Sequence, residues 1–153
     1  MERRYPPGYA KSRNLRCVCR ALTSTLDAAI GLLESENDFN TIDNILRLLG
    51  EVQGDRNADV LLAFASKGDD FQRLCAVESL CKLGDIRVEA VAQALLGESR
   101  SPVRRDKDGW SSMSHVKSIR QLVLESLRSS PNPKLRQLGT SVRWPGWLTF
   151  WMC

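Results

Sequence analysis

Apolar residues recur every three or four positions along most of the chain, the spacing that places side chains on one face of an α-helix. This pattern predicts helices that begin near residues 15, 41, 57, 70, 88, 114 and 133. No stretch alternates between apolar and polar residues as a half-buried strand does. The sequence therefore predicts an all-α fold.

The predicted helices form pairs, and the pairs resemble each other. A Leu-Gly-Glu sequence at 49–51 and a Leu-Gly-Asp sequence at 83–85 lie 34 residues apart, each at the end of a helix. The apolar pair Val60 and Phe64 recurs 31 residues later as Val91 and Leu95. A period in this range is typical of stacked helical hairpins, none of which can bury its apolar face alone.

The second pair, from Asp69 to Leu96, resembles the HEAT-like repeat, particularly the variety named after the phycobilisome lyases. The resemblance rests on the acidic start at 69–70, the small residues at 75–76 and the Leu-Gly-Asp corner at 83–85. It implies a short α-solenoid of about three to four HEAT-like helical hairpins. The alternative is an irregular helical bundle.

Composition divides the chain into three parts. Residues 1–14 are basic and contain prolines, so we expect a disordered arm. Residues 15–142 form the predicted repeat domain, in which the polar insertion 98–114 is expected to be a mobile loop. Residues 143–153 hold three of the four tryptophans. This tail is a cap on the last repeat, a docking element or an appendage.

Charge is distributed unevenly along the sequence. The net charge is +5 over residues 1–20, −7 over 21–90 and +6 over 91–153. The acidic central repeats argue against nucleic acid as a partner, because nucleic-acid binding requires a contiguous basic face. No apolar run reaches the roughly 18 residues of a membrane span. We expect no transmembrane segment and a cytoplasmic location, with the nucleus as an alternative.

The sequence predicts no enzyme, metal centre or cofactor. There is one histidine and no phosphate-binding glycine loop, nucleophile elbow or zinc-binding helix. The five cysteines are an odd number in a chain without a secretory signal, which indicates reduced thiols. Cys75 and Cys81 lie within apolar stripes, where free cysteine behaves as a small hydrophobic residue.

The HEAT-like resemblance implies a non-enzymatic adaptor or scaffold that binds another protein. The expected contact surface is the acidic face of the central repeats, which would attract a basic partner segment. Six residues near turns or helix starts define it: Asp55, Asp59, Asp69, Asp70, Asp85 and Glu89. The alternative is a subunit of an enzyme complex, such as a bilin-lyase-like chaperone for a cofactor.

Two short motifs lie outside the predicted helices. Pro6, Pro7 and Tyr9 match the Pro-Pro-x-Tyr ligand of WW domains. The alternative is that this segment is a plain flexible leader. Ser101, followed by Pro102, resembles a site for a proline-directed kinase. The alternative for that segment is a solvated loop.

The first motif gives a direct test. A WW domain is expected to bind a peptide that spans Arg3 to Lys11, because two prolines preset the polyproline II geometry and Tyr9 fills a pocket. The Tyr9→Ala peptide should lose this binding in a fluorescence titration. Equal binding by both peptides would remove the hypothesis.

Overall fold

The computed structural model describes residues 24–106, 109–112 and 117–141. Contacts divide the chain into two units, Met1–Asn37 and Asp38–Cys153. In the first unit residues 24–35 are helical and form α1, the second part of the long helix that the sequence predicts from Leu15. The predicted basic arm and the Trp-rich tail lie outside the described residues.

The second unit contains six helices in the part of the chain that the structure describes. They are α2 (Phe39–Leu49), α3 (Asp55–Lys67), α4 (Asp70–Leu83), α5 (Val88–Leu96), α6 (Ile119–Ser129) and α7 (Pro133–Ser141). The predicted all-α class is confirmed. Short turns join the helices within each of the pairs α2/α3, α4/α5 and α6/α7.

A two-stranded hairpin lies between α5 and α6. Strand β1 (Val103–Asp106) pairs antiparallel with β2 (Gly109–Ser112) in the register Val103 to Ser112 and Asp106 to Gly109. The sequence predicts a loop without strands over 98–114, and that prediction is wrong for these eight residues. The sequence pattern does not reveal these strands, because each contains one apolar residue, Val103 or Trp110, and so neither shows an apolar alternation.

Helices α4 and α6 begin with the same capping arrangement. The Asp69 side chain accepts from the Gln72 backbone N–H at 2.8 Å, and the Gln72 side chain accepts from the Asp69 N–H in return. Ser118 and Gln121 repeat this reciprocal pair in α6. Asp70 is the first helical residue of α4, in agreement with the helix start that the sequence predicts near residue 70. Helix α6 begins at Ile119, after the Ser118 cap, rather than near residue 114 as the sequence predicts.

Helix α4 is the centre of the second unit. It packs against α2, α3, α5 and α6, while α7 packs against α6. Two buried hydroxyl groups connect α4 to its neighbours: Ser79 Oγ donates to Leu46 O at 2.9 Å, and Ser130 Oγ donates to Cys81 O at 2.7 Å. The largest fully buried side chains include Leu46, Leu49, Leu61, Val77, Leu80, Leu95, Val123, Leu127 and Leu135.

The turn after α4 accepts side-chain hydrogen bonds from the turns of both neighbouring helix pairs. Gly84 adopts the left-handed conformation (φ 71°), which favours glycine and ends the helix. Asn132 Nδ2, in the turn between α6 and α7, donates to Gly84 O at 2.9 Å. Gln53 Nε2, in the turn after α2, donates to Leu83 O at 3.4 Å. The turns of all three pairs therefore lie next to one another.

Gly50 lies where the end of α2 closely approaches α4. A Cβ atom added at this position would lie 2.5 Å from Ser79 Cβ, although the backbone conformation of Gly50 (φ −73°) suits any residue. The absence of a side chain at Gly50 is therefore a packing requirement.

We expect Gly50→Ala to lower the free energy of unfolding by about 1–3 kcal/mol, because it overpacks the α2–α4 contact. Denaturant unfolding followed by far-ultraviolet circular dichroism measures the change. Gly31→Ala is the matched control: a Cβ at that helical position meets nothing within 4 Å, and the change should not destabilise the chain. Equal stability of Gly50→Ala and the unmodified chain would contradict the close packing.

Candidate protein-binding site

Arg87 brings together two of the predicted binding residues. Its Nη1 lies 2.8 Å from Asp59 Oδ1, on α3, and its Nη2 lies 2.6 Å from Asp85 Oδ2, at the corner after α4. Hydrogen bonds from Arg87 lower the pKa of Asp85 below its ordinary value. Asp59 and Asp85 are thus neutralised within the chain, which reduces the negative charge that a basic partner would meet.

The Asp70 carboxylate accepts hydrogen bonds from a side chain and from the backbone of the segment after α5. Both terminal nitrogens of Arg100 donate to its carboxylate, Nη2 at 2.9 Å from Oδ1, and the Val103 N–H donates to Oδ2 at 2.8 Å. The Asp70 side chain is 11% exposed. We call the contact of Asp70 with Arg100 and Val103 the Asp70 latch, because it fastens the segment before β1 to the first turn of α4.

The latch determines the charge state of Asp70. Burial alone would raise the pKa of Asp70, but the hydrogen bonds from Arg100 and Val103 outweigh burial and hold the pKa below its ordinary value. Arg100 also contacts Glu98, with Nη2 at 2.8 Å from Oε2. The segment from Glu98 to Val103 is therefore bound to α4 through charged groups.

The other three predicted residues lie at helix starts. Asp69 is the N-cap of α4, Asp55 is exposed in the first turn of α3, and Glu89 is exposed in the first turn of α5. Glu89 Oε1 accepts from Gln93 Nε2 at 3.2 Å. The expected acidic surface therefore consists of capping residues, internally paired residues and two exposed carboxylates.

A groove that the sequence does not reveal runs across α2, α4 and α6. It encloses about 470 Å³, within the range of ligand-binding clefts. Its lining comes from one residue of α2, five of α4 and four of α6: Arg47; Phe71, Leu74, Cys75, Glu78 and Lys82; Leu122, Glu125, Ser126 and Ser129. A sequence pattern could not have located it, because it depends on the separation of three helices.

The floor of the groove is apolar and its rim is charged. Phe71, Leu74 and Leu122 are half-buried, so part of each side chain faces the groove. Arg47 stands at the α2 side, and Glu125 stands at the α6 side, where Lys117 Nζ lies 2.6 Å from Glu125 Oε1. Arg47 therefore adds a positive charge at the α2 side, whereas Lys117 offsets the charge of Glu125 at the α6 side.

Lys82 lies between two carboxylates at the same groove. Its Nζ is 3.2 Å from Glu51 Oε1 and 3.6 Å from Glu78 Oε1. The hydrogen bond to Glu51 is the main cause of a raised pKa for Lys82. Lys82 thus stays protonated, and its charge is largely offset by its neighbours.

The thiol in the groove is unsuited to nucleophilic chemistry. Burial raises the pKa of Cys75 to about 11, with a further contribution from the Asp43 carboxylate. Cys81 is also buried, and its pKa is raised to about 12 for the same reason. Both are free thiols. A thiol with so high a pKa is protonated at neutral pH, whereas the thiolate is the reactive form.

Of the two remaining predicted sites, one lies outside the described residues and the other lies within them. Pro6, Pro7 and Tyr9 lie outside the described residues. Ser101 is half-buried, and Pro102 beside it is fully buried. Among the described residues there is no cluster of histidine, cysteine and acidic side chains that could hold a metal ion.

No helix in the described ranges is long and apolar enough to cross a membrane. Compared with protein-family models, with curated proteins and with solved structures, the chain matches none of them. The likeness to the HEAT-like repeat therefore stays a prediction from the residues themselves.

The Asp70 latch gives a stability prediction. Asp70→Asn should lower the free energy of unfolding by about 1–3 kcal/mol, because it removes charge-assisted hydrogen bonds from a mostly buried site. Asp55→Asn is the control, since Asp55 is exposed. Denaturant unfolding of the two variants measures the difference, and equal stability would contradict the latch.

The same variant should change the dependence of stability on pH. Because the folded-state pKa of Asp70 lies below its ordinary value of 3.8, its stabilisation is complete above that ordinary value and is lost as pH falls through the folded pKa. The difference in the free energy of unfolding between the unmodified chain and Asp70→Asn should shrink as pH is lowered from about 6 to about 2. If this difference in unfolding free energy does not change with pH, the lowered pKa of Asp70 in the folded chain is contradicted.

Proposed function

We propose that the chain is a non-enzymatic adaptor or scaffold domain whose groove across α2, α4 and α6 binds a short amphipathic helix of a partner protein. The observation that carries this proposal is the apolar floor formed by Phe71, Leu74 and Leu122. These three side chains are half-buried next to a fully buried core. Burial of their remaining exposed surface by a partner would be favourable.

The order of helix contacts supports a HEAT-like solenoid as the underlying architecture. Helix α4 packs on α2 to one side and on α6 to the other, and the second helices of the first two pairs, α3 and α5, also contact each other. A partner surface that extends across several helices is typical of stacked hairpins. The groove spans the first helix of each of the three pairs.

Charge complementarity favours a partner helix with an acidic residue near α2. Arg47 at the α2 side would attract that residue, whereas Glu125 at the α6 side is already paired with Lys117. A basic partner segment lying on the predicted acidic face would instead have to compete with Arg87 and Arg100. The groove therefore suits a helix with an acidic residue near Arg47 better than a uniformly basic segment.

The free thiols support a reducing location for this adaptor. Cys75 and Cys81 are both unpaired and buried, as is usual for proteins of the cytoplasm and nucleus. We propose that the chain acts in one of these compartments.

Blocking the groove tests the function. Ser129→Trp places a large side chain on the groove lining without altering the core, since Ser129 is exposed. Ser66→Trp is the matched control: Ser66 is an exposed serine in the last turn of α3, and its hydroxyl also bonds to a carbonyl of its own helix. Both variants should fold like the unmodified chain by circular dichroism.

Crosslinking capture from lysate with the three chains should yield a protein that Ser129→Trp loses and Ser66→Trp retains. A helical peptide from its crosslinked segment should then bind with a dissociation constant raised about tenfold or more by Ser129→Trp alone. Equal binding by both variants would refute the groove as the site. Binding of a linear tetrapyrrole by the groove would favour the cofactor-chaperone alternative instead.

A further inference from the structure

Ser-Pro occurs twice in the sequence, at residues 101–102 and 130–131, and the fold places the two serines differently. Ser130 is 1% exposed, and its hydroxyl donates to Cys81 O in the contact between α6 and α4. Ser101 is half-buried on the segment between α5 and β1. A kinase must reach a hydroxyl to phosphorylate it, so the fold favours Ser101 over Ser130.

We propose that Ser101 is a phosphorylation site for a proline-directed serine/threonine kinase, and that phosphate at Ser101 opens the Asp70 latch. Pro102 follows the serine directly, and the basic residue Arg104 stands three positions after it. The kinase transfers the γ-phosphoryl group of ATP to Ser101 Oγ. An O–P bond forms, the bond from the γ-phosphorus to the bridging oxygen breaks, ADP leaves, and the hydroxyl proton passes to the catalytic base of the kinase.

Ser101 lies between the two residues that bind Asp70. Arg100 precedes it and donates to Asp70 through its guanidinium, and Val103 follows two residues later and donates through its backbone N–H. The same segment is fixed to α6, because the Ile119 N–H donates to Arg100 O at 2.9 Å. It therefore connects the starts of α4 and α6.

A phosphate group changes the charge balance of the latch. It adds a charge of about −2 next to Arg100, where Asp70 and Glu98 already supply two carboxylates. Because a phosphate dianion attracts a guanidinium more strongly than a carboxylate does, it competes with Asp70 for Arg100. The like charge of Asp70 then favours departure of the segment from α4.

The rate of phosphorylation also depends on whether the latch is open. Pro102 is fully buried while the segment is bound to α4, and a kinase requires its substrate in an accessible, extended form. Opening of the latch must therefore precede phosphorylation. A variant with a weakened latch should be the better substrate, because local opening limits the modification of a protected site.

The test uses the full chain, a proline-directed kinase and Mg-ATP, with site-resolved mass spectrometry. Phosphate should appear on Ser101, and Asp70→Asn should accept it at a rate about threefold higher or more. Ser99→Ala should remain a substrate, and Ser101→Ala should not. A synthetic peptide spanning 97–106 reports whether the kinase accepts the sequence.

Hydrogen exchange tests the opening separately. The Val103 amide should lose protection in the phosphorylated chain, to the level seen in unmodified Asp70→Asn. Failure of the kinase to phosphorylate the peptide would refute Ser101 as a site. Phosphorylation of the peptide, with no phosphorylation of either the unmodified chain or Asp70→Asn, would also refute it. Unchanged protection of Val103 after phosphorylation would refute the opening of the latch.

Discussion

Close packing of α4 between α2 and α6 is the constraint on which the second unit depends. On one side Gly50 has no room for a side chain beside Ser79, and on the other the Ser130 hydroxyl reaches a carbonyl of α4 at 2.7 Å. Because both contacts use small residues and buried hydroxyl groups, the helix backbones approach closely. The position of α4 between α2 and α6 and the groove across these three helices both follow from this approach.

Charged groups act at the edges of this packed centre rather than within it. Arg87 connects Asp59 to Asp85, and Arg100 holds the segment before β1 on Asp70. Exposed ion pairs contribute little to stability, whereas the Asp70 carboxylate is largely removed from solvent. Asp59, Asp70 and Asp85 therefore serve the fold first, and for this reason we propose the apolar groove as the partner surface.

Sequence periodicity predicts most of the described helices because helices such as α2, α4 and α6 bury apolar residues at three- and four-residue spacing. Gly84 ends α4 through its left-handed conformation. Caps were less predictable, since several polar residues precede each helix and tertiary contacts select among them. The pairing of Arg87 with Asp59 spans 28 residues and that of Arg100 with Asp70 spans 30. Neither these pairs nor the groove could be predicted, because both depend on how the helices are arranged in space.

Distances between α2, α4 and α6 test the central position of α4 most directly. Spin labels on noncanonical amino acids at Arg47, Glu78 and Glu125, one on each helix and all on the groove, allow three pairwise measurements by electron paramagnetic resonance. Packed helices lie about 8–10 Å apart, so the distance between positions 47 and 125 should be clearly the longest of the three. A distance between positions 47 and 125 equal to or shorter than the other two would mean that α2 packs directly on α6, and would contradict the central position of α4.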